Sequence, residues 1–266
     1  MGAQGPRSRS SETRPSGQHL LRSGSLARDL VAVAAIEPDD LVVEIGAGTG
    51  RLTEPLALSA RHVVAVELDP SFADALRRRF HARPNITVVE GDILRVPLPQ
   101  APFRAFGNVP FAQTTAILRR LLDDPTSALR RADLIVQYET ARKRASVWPS
   151  NLASLGWQPW CEFVLSRHLS AFAFEPVPPV DAALLSVTRR SLPLLSPEQR
   201  RDFLSLVQAG FRRANLPLSR SLRHQIPERA WKLLARERGI APRSKASDLD
   251  VFDWVALSAL VRGDNT

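Results

Sequence analysis

Cysteine occurs once in the 266 residues, at Cys161, so the chain cannot form an internal disulfide. That scarcity fits a reducing compartment, and the expected location is the cytoplasm. No apolar run approaches the roughly 18 residues that a membrane span needs. The first residues are rich in Arg, Ser, Gly and Pro and lack the apolar stretch of a secretory signal. His19, His62, His81, His168 and His224 are too scattered to suggest a metal site, and none is expected. Lysine is also scarce, supplying three of the 36 basic residues, but a genome-wide preference for Arg codons would produce the same bias. The charge balance says more: a net charge of +9 and a pI near 11.1 point to a polyanionic partner.

What is present is a strand that runs into a glycine loop, Val42-Val43-Glu44-Ile45-Gly46-Ala47-Gly48-Thr49-Gly50. Gly46 and Gly48 let the backbone turn sharply and approach a ligand, and Gly50 opens the following helix. A nicotinamide-binding loop would carry its third glycine one position later, where this chain has Arg51. That offset disfavours an oxidoreductase. Val63 to Glu67 is a second strand with an acidic end, about 20 residues on, where a carboxylate can accept hydrogen bonds from ribose hydroxyls. Ile86 to Asp92 is a third, and its terminal carboxylate can accept from an adenine amino group. Together these strand ends predict S-adenosylmethionine as cofactor.

The strand that follows closes on Gly107-Asn108-Val109-Pro110-Phe111. An exocyclic amine on adenine is a poor nucleophile because its lone pair is delocalised into the ring. A catalyst must hold that amine so that the lone pair points at the methyl group. The Asn108 side-chain oxygen and a backbone carbonyl near Pro110 can accept the two amine hydrogens, while Phe111 stacks on the base. Alignment at near-attack distances of about 3–3.5 Å suffices without a general base.

With these motifs, Ser16-Gly17-Gln18-His19-Leu20-Leu21 and Pro178-Pro179-Val180-Asp181-Ala182 complete an ordered set spanning most of the chain. The set resembles the erythromycin-resistance (Erm) ribosomal RNA adenine-N6 methyltransferases. The resemblance implies cofactor contacts from His19, Leu21, Gly46, Glu67, Asp92 and Asn108, and target-base contacts from Asn108 and Phe111. It also implies 23S ribosomal RNA, possibly in an assembling large subunit, as substrate, and macrolide-type antibiotic resistance as the result. Many relatives have Asn in place of His19 and Tyr in place of Phe111; the second change keeps the stacking face. The small-subunit dimethyladenosine transferases (KsgA-like) share the same motifs, and some relatives on this fold are non-catalytic RNA- or transcription-associated factors. The intact Asn108–Phe111 corner argues against the non-catalytic reading.

The organisation follows from periodicity. Residues 1–15 read as a disordered basic tail, 16–190 as the cofactor-binding unit and 191–266 as a small all-helical unit, for which the resemblance implies RNA binding, in a chain expected to be monomeric. Strands are expected at Leu41–Ile45, Val63–Glu67, Ile86–Glu90, Arg104–Gly107 and Leu134–Tyr138. Helices are expected at Ser25–Ile36, Leu52–Leu58, Ser71–His81 and Thr114–Leu122. This alternation predicts an α/β fold of the Rossmann-like class I methyltransferase type, with ligands at the carboxyl ends of the strands. Glu162–Arg167 and Ala183–Arg189 should end the sheet antiparallel. Further helices are expected after Ser196-Pro197-Glu198-Gln199, a capping box, then over Glu228–Arg238 and over Leu249–Val261 with Ser247 as cap. Arg142-Lys143-Arg144, just beyond a strand end, is the basic run best placed to meet RNA phosphates. Trp148, Trp157 and Trp160 read as core residues.

Overall fold

The computed structural model describes residues 19–261; the tail 1–15 and residues 16–18 of the first motif lie outside the described residues. Helix α1 (Gly24–Ala34) starts at Ser23, whose hydroxyl accepts from the Leu26 amide. Strands β1 (Leu41–Ile45), β2 (His62–Glu67), β3 (Ile86–Glu90) and β4 (Phe103–Asn108) are parallel, with α2 (Thr53–Ser59) and α3 (Pro70–Phe80) crossing between the first three. After α4 (Thr114–Leu122) come β5 (Leu129–Gln137), α5 (Tyr138–Ala145), α6 (Leu152–Leu155), β6 (Cys161–Leu169) and β7 (Ala182–Arg189). The seven strands lie in the order β3-β2-β1-β4-β5-β7-β6, with β7 antiparallel to both β5 and β6.

The sheet is covered on both faces because successive side chains of its buried strands point opposite ways. Val42 of β1 joins Leu30, Leu56 and Phe106 on one face, while Val43 and Ile45 join Ile117, Leu118 and Leu121 on the other. The chain then becomes helical through α7 (Arg200–Arg212), α8 (Leu218–Ser221), α9 (Glu228–Arg238) and α10 (Val251–Val261). Phe203, Leu206 and Trp254 of this region share one continuous core with Trp157 and Trp160 and with the second sheet face. No helix among the described residues is long and apolar enough to cross a membrane.

Three elements differ from the sequence expectation. Strand β5 begins at Leu129, five residues before Leu134, because its charged residues are paired within the fold. Buried Asp133 accepts from Arg131 at 2.8 Å and from Ser186 Oγ at 2.6 Å, and lies 3.4 Å from Arg104. Arg104 also donates to Asp40 and to the carbonyls of Ala34 and Ala35, tying the end of α1 to the sheet. Second, Tyr138 opens α5 rather than ending a strand. Third, Ser247 lies in a short 3-10 turn, and Asp250 caps α10 by accepting from the Asp253 amide at 2.9 Å. The capping box at Ser196 forms as expected, with Gln199 Oε1 accepting from the Ser196 amide at 2.7 Å.

Candidate active site

In an open α/β sheet, ligands bind where the strand order reverses, outside the carboxyl ends of the strands. Here that point lies between β1 and β4, and the cleft with the richest set of functional side chains opens there. It is lined by Gly46 and Gly48 after β1, Glu67 at the end of β2, Asp92 after β3, and Asn108, Pro110 and Phe111 after β4. Ile45, Val66, Ile93 and Ile117 supply apolar walls.

The glycine loop is built around Glu67, which is 2% exposed. Its Oε2 accepts from the Gly48 amide at 2.7 Å and its Oε1 from the Asp69 amide at 2.9 Å, and each oxygen keeps a further lone pair. Gly46 has φ 71°, the left-handed region, and a Cβ there would come within 3.6 Å of the Asn108 carbonyl. At Gly107 a Cβ would lie 2.4 Å from the Ile45 carbonyl oxygen, so only glycine lets β4 approach β1 closely enough to set Asn108 beside the loop. Asp92 Oδ1 accepts from the Leu94 amide at 2.9 Å, which fixes the carboxylate at the turn after β3.

The N-terminal segment closes over this floor. Leu20 and Leu21 pair antiparallel with Glu175 and Phe174, and the His19 ring bonds the Pro176 carbonyl through Nδ1 at 2.8 Å. Asn108 Nδ2 donates to the His19 carbonyl oxygen at 2.6 Å. A carbonyl can only accept, so the amide orientation is determined: nitrogen toward His19, oxygen available as an acceptor. Phe111 begins a 3-10 turn, its ring centroid 5.9 Å from that of His19 at 34°.

The cleft thus gathers His19, Gly46, Glu67, Asp92, Asn108 and Phe111. Leu21 is placed otherwise: it is 4% exposed and packs in the core beneath, while its neighbour Leu20 lines the cleft. Sequence reasoning did not pick out Leu20, Ile93, Gln113 or Ile117, which lie beside or near residues it did pick out. Arg142, Lys143 and Arg144 share α5 but not one environment. Arg142 pairs with exposed Glu139 at 2.8 Å. Arg144 turns inward, its guanidinium 5.4 Å from the Trp157 ring and bonded to Asn151 Oδ1, and burial lowers its pKa. Asp181 of the Pro-Pro-Val-Asp motif holds the rim together, bonding His168 at 2.9 Å and the Ala171 amide at 2.8 Å.

The strand order and this cleft define a class I methyltransferase. The model of the ribosomal RNA adenine dimethylase family matches residues 10–262, and the chain belongs to that family. It is 35% identical to the mycinamicin-resistance protein MyrB of Micromonospora griseorubida, covering 92% of this chain and 78% of the relative. It is 33% identical to the ribosomal RNA small subunit methyltransferase A of Synechococcus sp. (strain JA-3-3Ab), covering 92% and 91%. The crystal structure of the 23S rRNA methyltransferase ErmE superposes with a TM-score of 0.83 at 29% identity, covering 91% of this chain and 99% of that one. The protein is therefore a methyltransferase that uses S-adenosylmethionine.

The cleft fits that cofactor, pairing apolar walls suited to an adenine with carboxylates suited to ribose hydroxyls and an amino group. When bound, the cofactor supplies a methyl group carried on a sulfonium. Glu67→Ala should weaken its binding by about 2 kcal/mol, because a charged acceptor is lost and the Gly48 and Asp69 amides lose their partner. Titration calorimetry checks this; an unchanged dissociation constant in a folded variant would make Glu67 a support for the loop alone.

Proposed function

We propose that this protein methylates N6 of an adenine in 23S ribosomal RNA, in the cytoplasm, on naked RNA or on an assembling large subunit, and so confers macrolide-type resistance. The observation that carries the reading is the Asn108 amide. With its nitrogen held by the His19 carbonyl, its oxygen is a fixed acceptor at the mouth of the cofactor cleft. One amine hydrogen donated to Asn108 Oδ1 and the other to a backbone carbonyl of the corner would turn the lone pair toward the methyl group. The Pro110 carbonyl already accepts from the Gln113 amide at 2.9 Å and keeps a second lone pair for this purpose. Phe111 holds the base face. The adenine must be unpaired or flipped, since its amine is otherwise engaged in a base pair. Methylation then removes a donor and adds bulk where a drug makes contact, lowering the drug's affinity.

The likeness to MyrB and to ErmE supports the large-subunit substrate, while the likeness to the Synechococcus enzyme supports a small-subunit adenine as the second reading. Mass mapping of ribosomal RNA from cells with and without the protein separates the two, reporting subunit, nucleotide and number of methyl groups together. A mass increment confined to small-subunit RNA would replace the first reading with the second.

Phe111 provides a narrower test. Phe111→Ala should weaken productive RNA binding by about 1–3 kcal/mol while cofactor affinity stays near normal, and Phe111→Tyr should keep most activity because the ring face survives. Methyl transfer from labelled cofactor, run beside cofactor binding, distinguishes them. Near-normal transfer by Phe111→Ala would return this ring to the apolar packing around His19.

A further inference from the structure

His19, half-buried at the cleft, meets its surroundings through two separate groups. Its backbone carbonyl accepts from Asn108 Nδ2 at 2.6 Å, so its main chain serves the amide that lies between cofactor and base. Its ring is held apart from that contact. The Pro176 carbonyl can only accept, so ring Nδ1 donates the 2.8 Å bond between them, and this bond fixes the direction of the imidazole.

Strand alternation gives the side on which the ring lies. Leu20 and Leu21 pair with Glu175 and Phe174, so side chains along this extended segment turn to opposite sides in succession. Leu20 faces the glycine loop: a Cβ added to Gly48 would come 3.1 Å from its Cδ2. Leu21 faces the other way, into the apolar cluster of Phe106, Phe174 and Leu184 against which Phe111 packs. By the same alternation His19 lies on the side of Leu21, toward Phe111 and away from the Gly46–Gly48 turn. The ring contacts agree. The His19 and Phe111 centroids are 5.9 Å apart at 34°, within the range of paired aromatic rings. Glu67 and Asp92 are engaged elsewhere, with the amides of Gly48, Asp69 and Leu94.

An adenine drawn out of its strand loses the stacking neighbours on both of its faces. Phe111 can replace one of them. Asparagine, which many relatives carry in place of His19, has no ring to offer the other face; histidine has. Rings on the two faces of a base stand about 7 Å apart, two stacking distances. The observed 5.9 Å is shorter than that by about 1 Å, so the two rings close on each other in the free protein and must part slightly to admit a base. The segment that carries His19 is held by a strand pairing of only two residues, which can yield by that amount.

We propose that the His19 ring contacts the target adenine, forming with Phe111 a two-walled seat for the base, while only the backbone of this residue serves the cofactor side. This rests on the reading of the cleft as the seat of a ribosomal RNA adenine and adds its second wall. Histidine at this position therefore sets how tightly the extruded base is held, and leaves the grip on the cofactor to the glycine loop, Glu67 and Asp92.

His19→Phe and His19→Asn separate this role from that of an anchor, because they divide the two properties of the ring between them. Phenylalanine keeps a stacking face and loses the bond to Pro176; asparagine loses the face and can still donate an amide hydrogen there. Both leave the backbone carbonyl that holds Asn108. Methyl transfer is measured at saturating cofactor on whichever ribosomal RNA the parent methylates, beside calorimetry with S-adenosylmethionine, which also checks folding. His19→Phe should keep the KM for RNA within about twofold of the parent, and His19→Asn should raise it about tenfold, with cofactor affinity unchanged in both. With 2-aminopurine in place of the target adenine, stacked rings quench its fluorescence, so the complex with His19→Asn should be about twofold or more brighter than those with the parent and His19→Phe. The opposite order, with His19→Asn like the parent and His19→Phe impaired, would make the ring an anchor for its segment and overturn the proposal. So would parent-like KM and brightness in both variants, or a loss in His19→Asn confined to cofactor affinity. A parent that methylates only small-subunit RNA corrects the substrate, and the order of the two variants on that RNA still decides the role of the ring.

Discussion

Asn108→Ala should lower methyl transfer by about a hundredfold or more and weaken cofactor binding in the same protein. The turnover effect follows from positioning, since misplacement of a reacting group by about 1 Å can cost two orders of magnitude. Alanine removes the acceptor that holds one amine hydrogen, and the delocalised lone pair is then no longer turned toward the methyl group. The binding effect follows from the other end of the amide. Nδ2 is tied to the His19 carbonyl, and His19 and Leu20 line the cleft, so losing the donor frees the segment that closes over the cofactor. Asn108→Asp separates the two roles. It keeps an acceptor for the amine but presents a carboxylate oxygen to the His19 carbonyl, so cofactor affinity should fall as in the alanine variant while turnover at saturating cofactor falls less. Rates and cofactor affinities measured for both variants decide the matter; alanine turning over like the parent would remove Asn108 from the reaction.

Much of this arrangement is legible in the sequence because the strands that build the site are short apolar runs that carry the site residues at their ends. Leu41–Ile45 and Ile86–Glu90 are apolar runs bounded by turn residues, and their observed limits match those expected. What was hidden has physical causes. The first half of β5 carries Arg130, Arg131 and Asp133, which read as a loop until Arg104 and Ser186, distant in sequence, are seen to satisfy the aspartate. Helix α5 buries only Ala141, so it has no apolar stripe to announce it, and its basic run could not be divided into solvent-facing and inward-facing members. The two-residue pairing of Leu20 and Leu21 is too short for any periodicity, though it decides which leucine meets the cleft. By residue type Trp148 reads as a core residue like Trp157 and Trp160, but it is exposed while they are buried, and only packing sets it apart.

Glu44 belongs to the strand that leads into the glycine loop, and its environment gives the second large effect. Strand alternation puts it on the same face as Val42 and Phe106, where it is fully buried and neither carboxylate oxygen has a hydrogen-bond partner. Burial pushes its pKa from an ordinary 4.5 up to about 8, and the nearby Glu67 carboxylate adds to the rise. The folded protein therefore keeps a proton on Glu44 that the unfolded chain has already lost. Stability is highest below the unfolded pKa and falls as pH rises from about 4.5 to about 8, by roughly 1.4 kcal/mol per unit. At pH 7 the penalty is about 3 kcal/mol. Glu44→Gln removes the titration while keeping the shape of the side chain, so it should leave stability nearly unchanged at pH 4.5 and raise it by about 3 kcal/mol at pH 7. On a domain of this size that is a rise of roughly 6 °C or more in melting temperature. Thermal unfolding of parent and variant across pH 4.5–8.5 reads the difference directly. Parallel curves over that range would mean that the carboxyl ionises in the folded protein as easily as in water, through a partner or a water path to its oxygens.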